Sequence, residues 1–95
     1  MLFEWDESKR QTNMAKHGID FRDAIRVFDG PVFESTSQRR GEDRVVVIGS
    51  MEGIEIVLVY VMRGKQRRII SARRAHRNER QDYANHLKVT DQGRD

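Results

Sequence analysis

Residues 44–74 read RVVVIGSMEGIEIVLVYVMRGKQRRIISARR, and the reading of this stretch decides the fold. Residues 44–51 are rich in β-branched side chains and residues 54–62 are almost continuously apolar. Runs of this kind form strands, and the second has the composition of a central strand covered on both faces. Glu52 and Gly53 lie between them as a hairpin turn. Gly64 and Lys65 make the next turn, leading into a third strand over 67–74.

Upstream, residues 37–43 are polar and predict a loop, with a short further strand over 32–35 ahead of it. Asp29, Gly30 and Pro31 break the chain before that, because proline biases its predecessor away from helix. Phe21, Ala24, Ile25 and Phe28 fall at i, i+3, i+4 and i+7, the spacing of one buried helical stripe, and Asp20 precedes them as an N-cap. An earlier helix over 7–17 starts after Asp6 and ends at Gly18, which suits a left-handed cap; Met14 and Ala15 give it a thin apolar face. A short aromatic strand, residues 3–5, comes first, ahead of the two helices. Downstream, 75–87 returns to helical pattern, with Tyr83 and Leu87 one turn apart as its anchor to the sheet. The sum is an α+β domain: an antiparallel sheet of about four strands, two N-terminal helices and one C-terminal helix. It occupies residues 1–88, and 89–95 are expected to form a flexible tail.

Ninety-five residues suffice for one core and not for two. The absence of cysteine removes disulfides and thiolate metal sites. Residues 1–6 carry acids where a signal peptide needs a basic start, and no apolar run approaches the ~20 residues of a membrane span. A cytoplasmic protein without membrane association is expected. Charge is split along the chain: residues 1–62 hold 8 Lys and Arg against 11 Asp and Glu, whereas 63–95 hold 10 against 4. A basic terminal third suits a polyanion or an acidic partner.

Strict alternation in the last strand puts Arg67, Ile69, Ser71 and Arg73 on one face and Arg68, Ile70, Ala72 and Arg74 on the other. Arg63 ends the neighbouring strand, and Arg77 and Arg80 share one side of the following helix. Guanidinium groups grip phosphates by a planar two-point fork; a solvated rim or a docking surface for a partner would use the same residues. Lys16 and His17 end the first helix, where its dipole favours cations, so capping accounts for them as well as catalysis does. Of the three histidines His17 is the better proton carrier, since His76 and His86 lie on a polar helix without metal-pair spacing. Neither a metal nor a cofactor is expected. Trp5 can stack on a base but is better placed as a core residue.

Phe3 to Asp6, Lys9, Asn13, Lys16 to Gly18, Phe21, Ala24, Val27 and Phe28, followed by Arg44, Arg63, Arg68 to Ala75, Glu79, Arg80 and Tyr83, resemble the BrnT toxins over about residues 3–84. The resemblance implies a RelE-like fold and a type II toxin-antitoxin ribonuclease that cleaves RNA without metal, free or on the ribosome. It also implies neutralisation by a BrnA-type antitoxin that supplies DNA binding, in a 2:2 assembly. Carried onto this chain, it makes Arg63 and Arg73 stabilisers of the pentacoordinate phosphate. His17 or Lys16 then aids proton transfer or holds the phosphate, and Arg67, Arg68, Arg74, Arg77 and Arg80 track the RNA backbone. The alternative is a noncatalytic subunit that binds RNA or antitoxin.

Overall fold

The structure is a computed structural model that describes residues 1–92. Four strands follow one another as antiparallel neighbours: β2 (Val32–Arg39), β3 (Glu42–Met51), β4 (Ile54–Arg63) and β5 (Gln66–Arg74). Between β3 and β4, Glu52 (φ 52°) and Gly53 (φ 82°) are both left-handed, as a two-residue turn that follows strand twist requires. Arg40 (φ 52°) and Gly41 (φ 73°) repeat that geometry between β2 and β3. Most of 37–43 is therefore strand and not loop: its polar side chains sit on an edge hairpin that is solvated along β2.

The short segment β1 (Leu2–Glu4) lies parallel to β5, with Leu2 opposite Gln66. The sheet order is β1-β5-β4-β3-β2, so the sheet is mixed and five-stranded where four antiparallel strands were expected. Three residues are too few to show alternation, and pairing with so distant a strand has no local signature.

Helix α1 (Glu7–His17) is capped by Asp6, whose carboxylate accepts from Lys9 N at 3.1 Å, and is closed by Gly18 at φ 72°. Asn13 is its buried residue. The carboxamide donates to Ala72 O at 2.8 Å and to Ile19 O at 3.0 Å, and accepts from Ala72 N at 3.1 Å. It thus completes the edge of β5 beyond Arg68, where β1 stops. Helix α2 (Phe21–Ala24) is shorter than the stripe suggested, because the chain tightens into a 3-10 turn over Ile25–Asp29. Three residues per turn bring Val27 fully inward and leave Phe28 partly exposed. The approach is close: a Cβ on Gly49 of β3 would stand 2.8 Å from Val27 Cβ.

Helix α3 (Arg77–Gln92) starts two residues after the expected Ala75 and continues past Leu87. Residues 93–95 of the expected tail lie outside the described residues. Tyr83 anchors α3, as its pairing with Leu87 predicted: it is 5% exposed and its hydroxyl donates to Pro31 O at 2.9 Å. Burial, and secondarily Glu55, raises the phenol pKa. No helix among the described residues is long and apolar enough to cross a membrane.

The sheet carries two cores. On the α2 side Ile19, Phe21, Ala24 and Val27 close over Val47, Ile56, Leu58, Tyr60, Ile69 and Ala72, with Phe3 and Trp5 packed against them. Trp5 meets Phe21 edge-on at 6.2 Å and so serves the core. On the other side Tyr83, Ala75 and Leu87 meet Ile48, Val57 and Phe33 in a smaller cluster. Full burial of one such side chain stabilises by about 1.5–3 kcal/mol.

Candidate nucleic-acid interface

Strand β5 does not alternate throughout. Tyr60 pairs with Ile69 but Val59 pairs with Ser71, which leaves Ile70 as an extra residue in a bulge. Ile69 and Ala72 consequently both enter the α2-side core. Before the bulge Arg67 faces the α2 side and Arg68 the α3 side; after it, Ser71 and Arg73 face α3 and Arg74 faces α2. The faces expected from strict alternation are therefore corrected, and Arg67 and Arg73 stand on opposite sides of the sheet.

Cross-strand register arranges the α3 side in rows. Arg73, Val57, Ile48 and Phe33 form the first, under α3. Ser71, Val59, Val46 and Ser35 form the second, where Val46 and Val59 still lean on the helix cluster. Beyond it come Arg68 opposite Val61 and Arg44 opposite Ser37, and last Arg63 and Arg39, the latter opposite Glu42. The face is half covered: apolar beneath α3 and basic where α3 ends.

Three acids on this face answer arginines. Glu79 takes both terminal nitrogens of Arg73 at 2.8 Å and also accepts from His76 N at 2.7 Å, capping α3 from its third residue. The Arg73 hydrogen bond chiefly holds the Glu79 carboxyl at about 2, against an ordinary 4.5, while Glu79 raises the Arg73 pKa. Arg68 pairs with Glu4 at 3.0 Å. Glu42 is held more loosely, 3.5 Å from Arg63 Nη2 and 3.8 Å from Arg44 Nε. The second distance exceeds hydrogen-bond reach, and Arg44 Nε is buried without a hydrogen-bond partner.

The sequence-derived residues are thus dispersed. Arg63 and Arg73 share the face but mark its two ends, since Arg63 pairs with Gln66 and Arg73 with Val57, six residues away along β4 or about 20 Å at ~3.3 Å per residue. Lys16 and His17 are exposed and line, with Ser71 and Ile70, a groove of about 340 Å³ between α1 and β5. They therefore adjoin the second row at its edge. Arg74 and Arg77 are exposed, and Arg80 donates to Ala75 O at 2.9 Å, tying α3 to the end of β5. On the opposite face the Arg67 guanidinium sits 5.3 Å from the Tyr60 ring centroid and 5.7 Å from that of Phe28.

Arg44 was not among the residues singled out for the site, yet it stands in its midst. The signal was present: a two-residue turn at Glu52 and Gly53 sets Val45 opposite Tyr60, and that register puts Arg44 and Arg63 on one face. Chemically, five guanidinium groups on one half-open surface can neutralise and orient successive phosphates, and a nearby imidazole can move a proton.

A family model described as "Ribonuclease toxin, BrnT, of type II toxin-antitoxin system" matches residues 5–79. A comparison with curated proteins returned no match.

Proposed function

This chain belongs to the BrnT family of type II toxin-antitoxin ribonuclease toxins, and from that premise we propose that it is an endoribonuclease that cuts RNA without a metal ion and thereby inhibits translation and growth. The half-covered sheet face carries this reading: Arg44, Arg63, Arg68 and Arg73 all stand on the side that α3 leaves partly open. The RNA backbone runs along these arginines. Cleavage is attack of the 2′-hydroxyl on its own phosphate, which gives a cyclic phosphate and releases the 5′ oxygen. Arginine charge offsets the extra negative charge of the pentacoordinate phosphorus, and positioning supplies much of the rate. In this reading His17, which lines the groove beside Ser71, moves the proton, and Lys16 holds a phosphate. Arg77 continues the backbone track at the start of α3. A BrnA-type antitoxin neutralises the toxin by covering this face and brings DNA binding to the complex, assembled 2:2. The fold class is consistent with a RelE-like toxin.

The test is incubation of partner-free protein with end-labelled single-stranded RNA in EDTA, beside Arg63→Ala and Arg73→Ala. Cleavage by the parent with cyclic phosphate ends, lost in both variants while their melting stays cooperative, is the expected result. Absence of product from the parent on free RNA and on translating ribosomes alike would overturn it. A second reading has one observation in its favour: Arg63, Arg68 and Arg73 each already hold an acid. A noncatalytic subunit with its charge internally matched would bind RNA in a salt-sensitive way and release no product.

A further inference from the structure

The three acids that answer arginines on the half-covered face are not equivalent. Glu79 is hydrogen-bonded to Arg73 at 2.8 Å and Glu4 to Arg68 at 3.0 Å. Glu42 touches nothing at such a distance: its oxygens lie 3.5 Å from Arg63 Nη2 and 3.8 Å from Arg44 Nε. Around it the register gathers cations, since Arg39 is its β2 partner and Arg44 follows two residues along β3 on the same face. Three arginines face one carboxylate, a local excess of two positive charges. Arg44 Nε is buried and has no hydrogen-bond partner, an orphan donor of a kind that folded proteins rarely tolerate. Ser37, opposite Arg44 on β2, adds a hydroxyl to the same place.

Resting on the ribonuclease reading above, we propose that Arg44 and Arg63 form the seat for one RNA phosphodiester and that Glu42 is a resident carboxylate which the phosphate must displace. A carboxylate offers two oxygens on one short stem fixed to β3, and from there it reaches neither guanidinium well. A phosphodiester arrives untethered and can present one non-bridging oxygen to Arg44 Nε and the other to Arg63, completing the two-point contact that guanidinium groups favour. Glu42 thus sets the affinity of the seat: it keeps a cluster of arginines compatible with the folded, unliganded state and makes each binding event a competition. Nothing covalent changes at Glu42, and the exchange is one anion for another.

The experiment measures fluorescence anisotropy of a labelled, fully 2′-O-methyl oligonucleotide, which binds but lacks the attacking hydroxyl, so that binding is read apart from cleavage. Removing the competitor in Glu42→Gln tightens binding by about fivefold at low salt, and removing the orphan donor in Arg44→Ala weakens it about tenfold, in the range of a lost charge-assisted hydrogen bond. Glu34→Gln is the control, because it deletes the same charge from the opposite face of β2, where Glu34 pairs with Val47 of the α2-side core. It changes binding by less than about twofold, as expected of a screened, distant charge. The proposal is overturned if Glu42→Gln leaves affinity unchanged or lowers it while thermal melting shows the variant folded. It is equally overturned if Glu34→Gln tightens binding as much, which reduces the effect to net charge. Failure of the parent to cleave unmodified RNA strikes the ribonuclease reading alone and leaves these binding comparisons standing.

Discussion

The two faces of the sheet are built from the same strands and put to opposite uses. The α2 side is closed at its centre: Phe21, Val27, Val47, Ile56 and Leu58 have no exposed surface, and Arg67, a cation on its border, is taken up by the Phe28 and Tyr60 rings. The α3 side is closed only as far as α3 reaches, and beyond it Val61 is ringed by Arg44, Arg63 and Arg68. What separates the two is position relative to a helix and not composition of any single strand, since β5 supplies Ile69 and Ala72 to one side and Arg68, Ser71 and Arg73 to the other through one bulge. A protein of this size can cover one face wholly and leave half of the other without a helix over it.

The comparison is broken most directly by paired truncations at neighbouring residues. Leu58→Ala, on the closed side, should cost about 2–5 kcal/mol in urea unfolding, whereas Val59→Ala, half-buried on the open side, should cost less than about 1.5 kcal/mol. Equal losses would show that both faces are core.

A pH titration sharpens the contrast on the α3 side. The folded Glu79 carboxyl is depressed to about 2 from 4.5, so its contribution is present above pH 4.5 and fades as pH falls through that window towards 2. At roughly 1.4 kcal/mol per unit this is worth at most about 3.5 kcal/mol. Glu79→Gln should remove that part of the acid sensitivity and lower stability at pH 7; a variant as acid-sensitive as the parent would refute the role of this pair.

The smallest effects concern contact points. Gly49→Ala should cost about 1–3 kcal/mol, because the added Cβ meets the Val27 Cβ of the 3-10 turn with no flexible side chain to yield. Tyr83→Phe, which leaves Pro31 O without its donor, should cost about 0.5–1.5 kcal/mol and be read as earlier loss of α3 in hydrogen exchange. A neutral Tyr83→Phe would mean that α3 is held by apolar contact alone.

What the sequence conveyed was local. The Glu52 and Gly53 turn, the Gly18 cap, the Asp6 and Asp20 caps and the Tyr83 anchor were legible because each is set by neighbours within a few residues. The parallel β1, the Asn13 carboxamide on Ala72 and the bulge at Ile70 were not, because they depend on partners far along the chain. The bulge mattered most for the site, since a single extra residue reverses the facing of every side chain after it and thereby separated Arg67 from Arg73. The left-handed Arg40 was hidden as well, since arginine gives no hint of a positive φ.

The pairing of Leu2–Glu4 with β5 also sets the order in which the chain can be finished. The first strand made is the last that can dock, because Gln66, Arg67 and Arg68 must exist before it has a partner. Asn13 waits likewise for Ala72. During synthesis at about 5–20 residues per second, the opening segment therefore stays unpaired until the final hairpin emerges. The Arg68–Glu4 pair forms only then, so the nascent chain carries no finished arginine face before β5 is made.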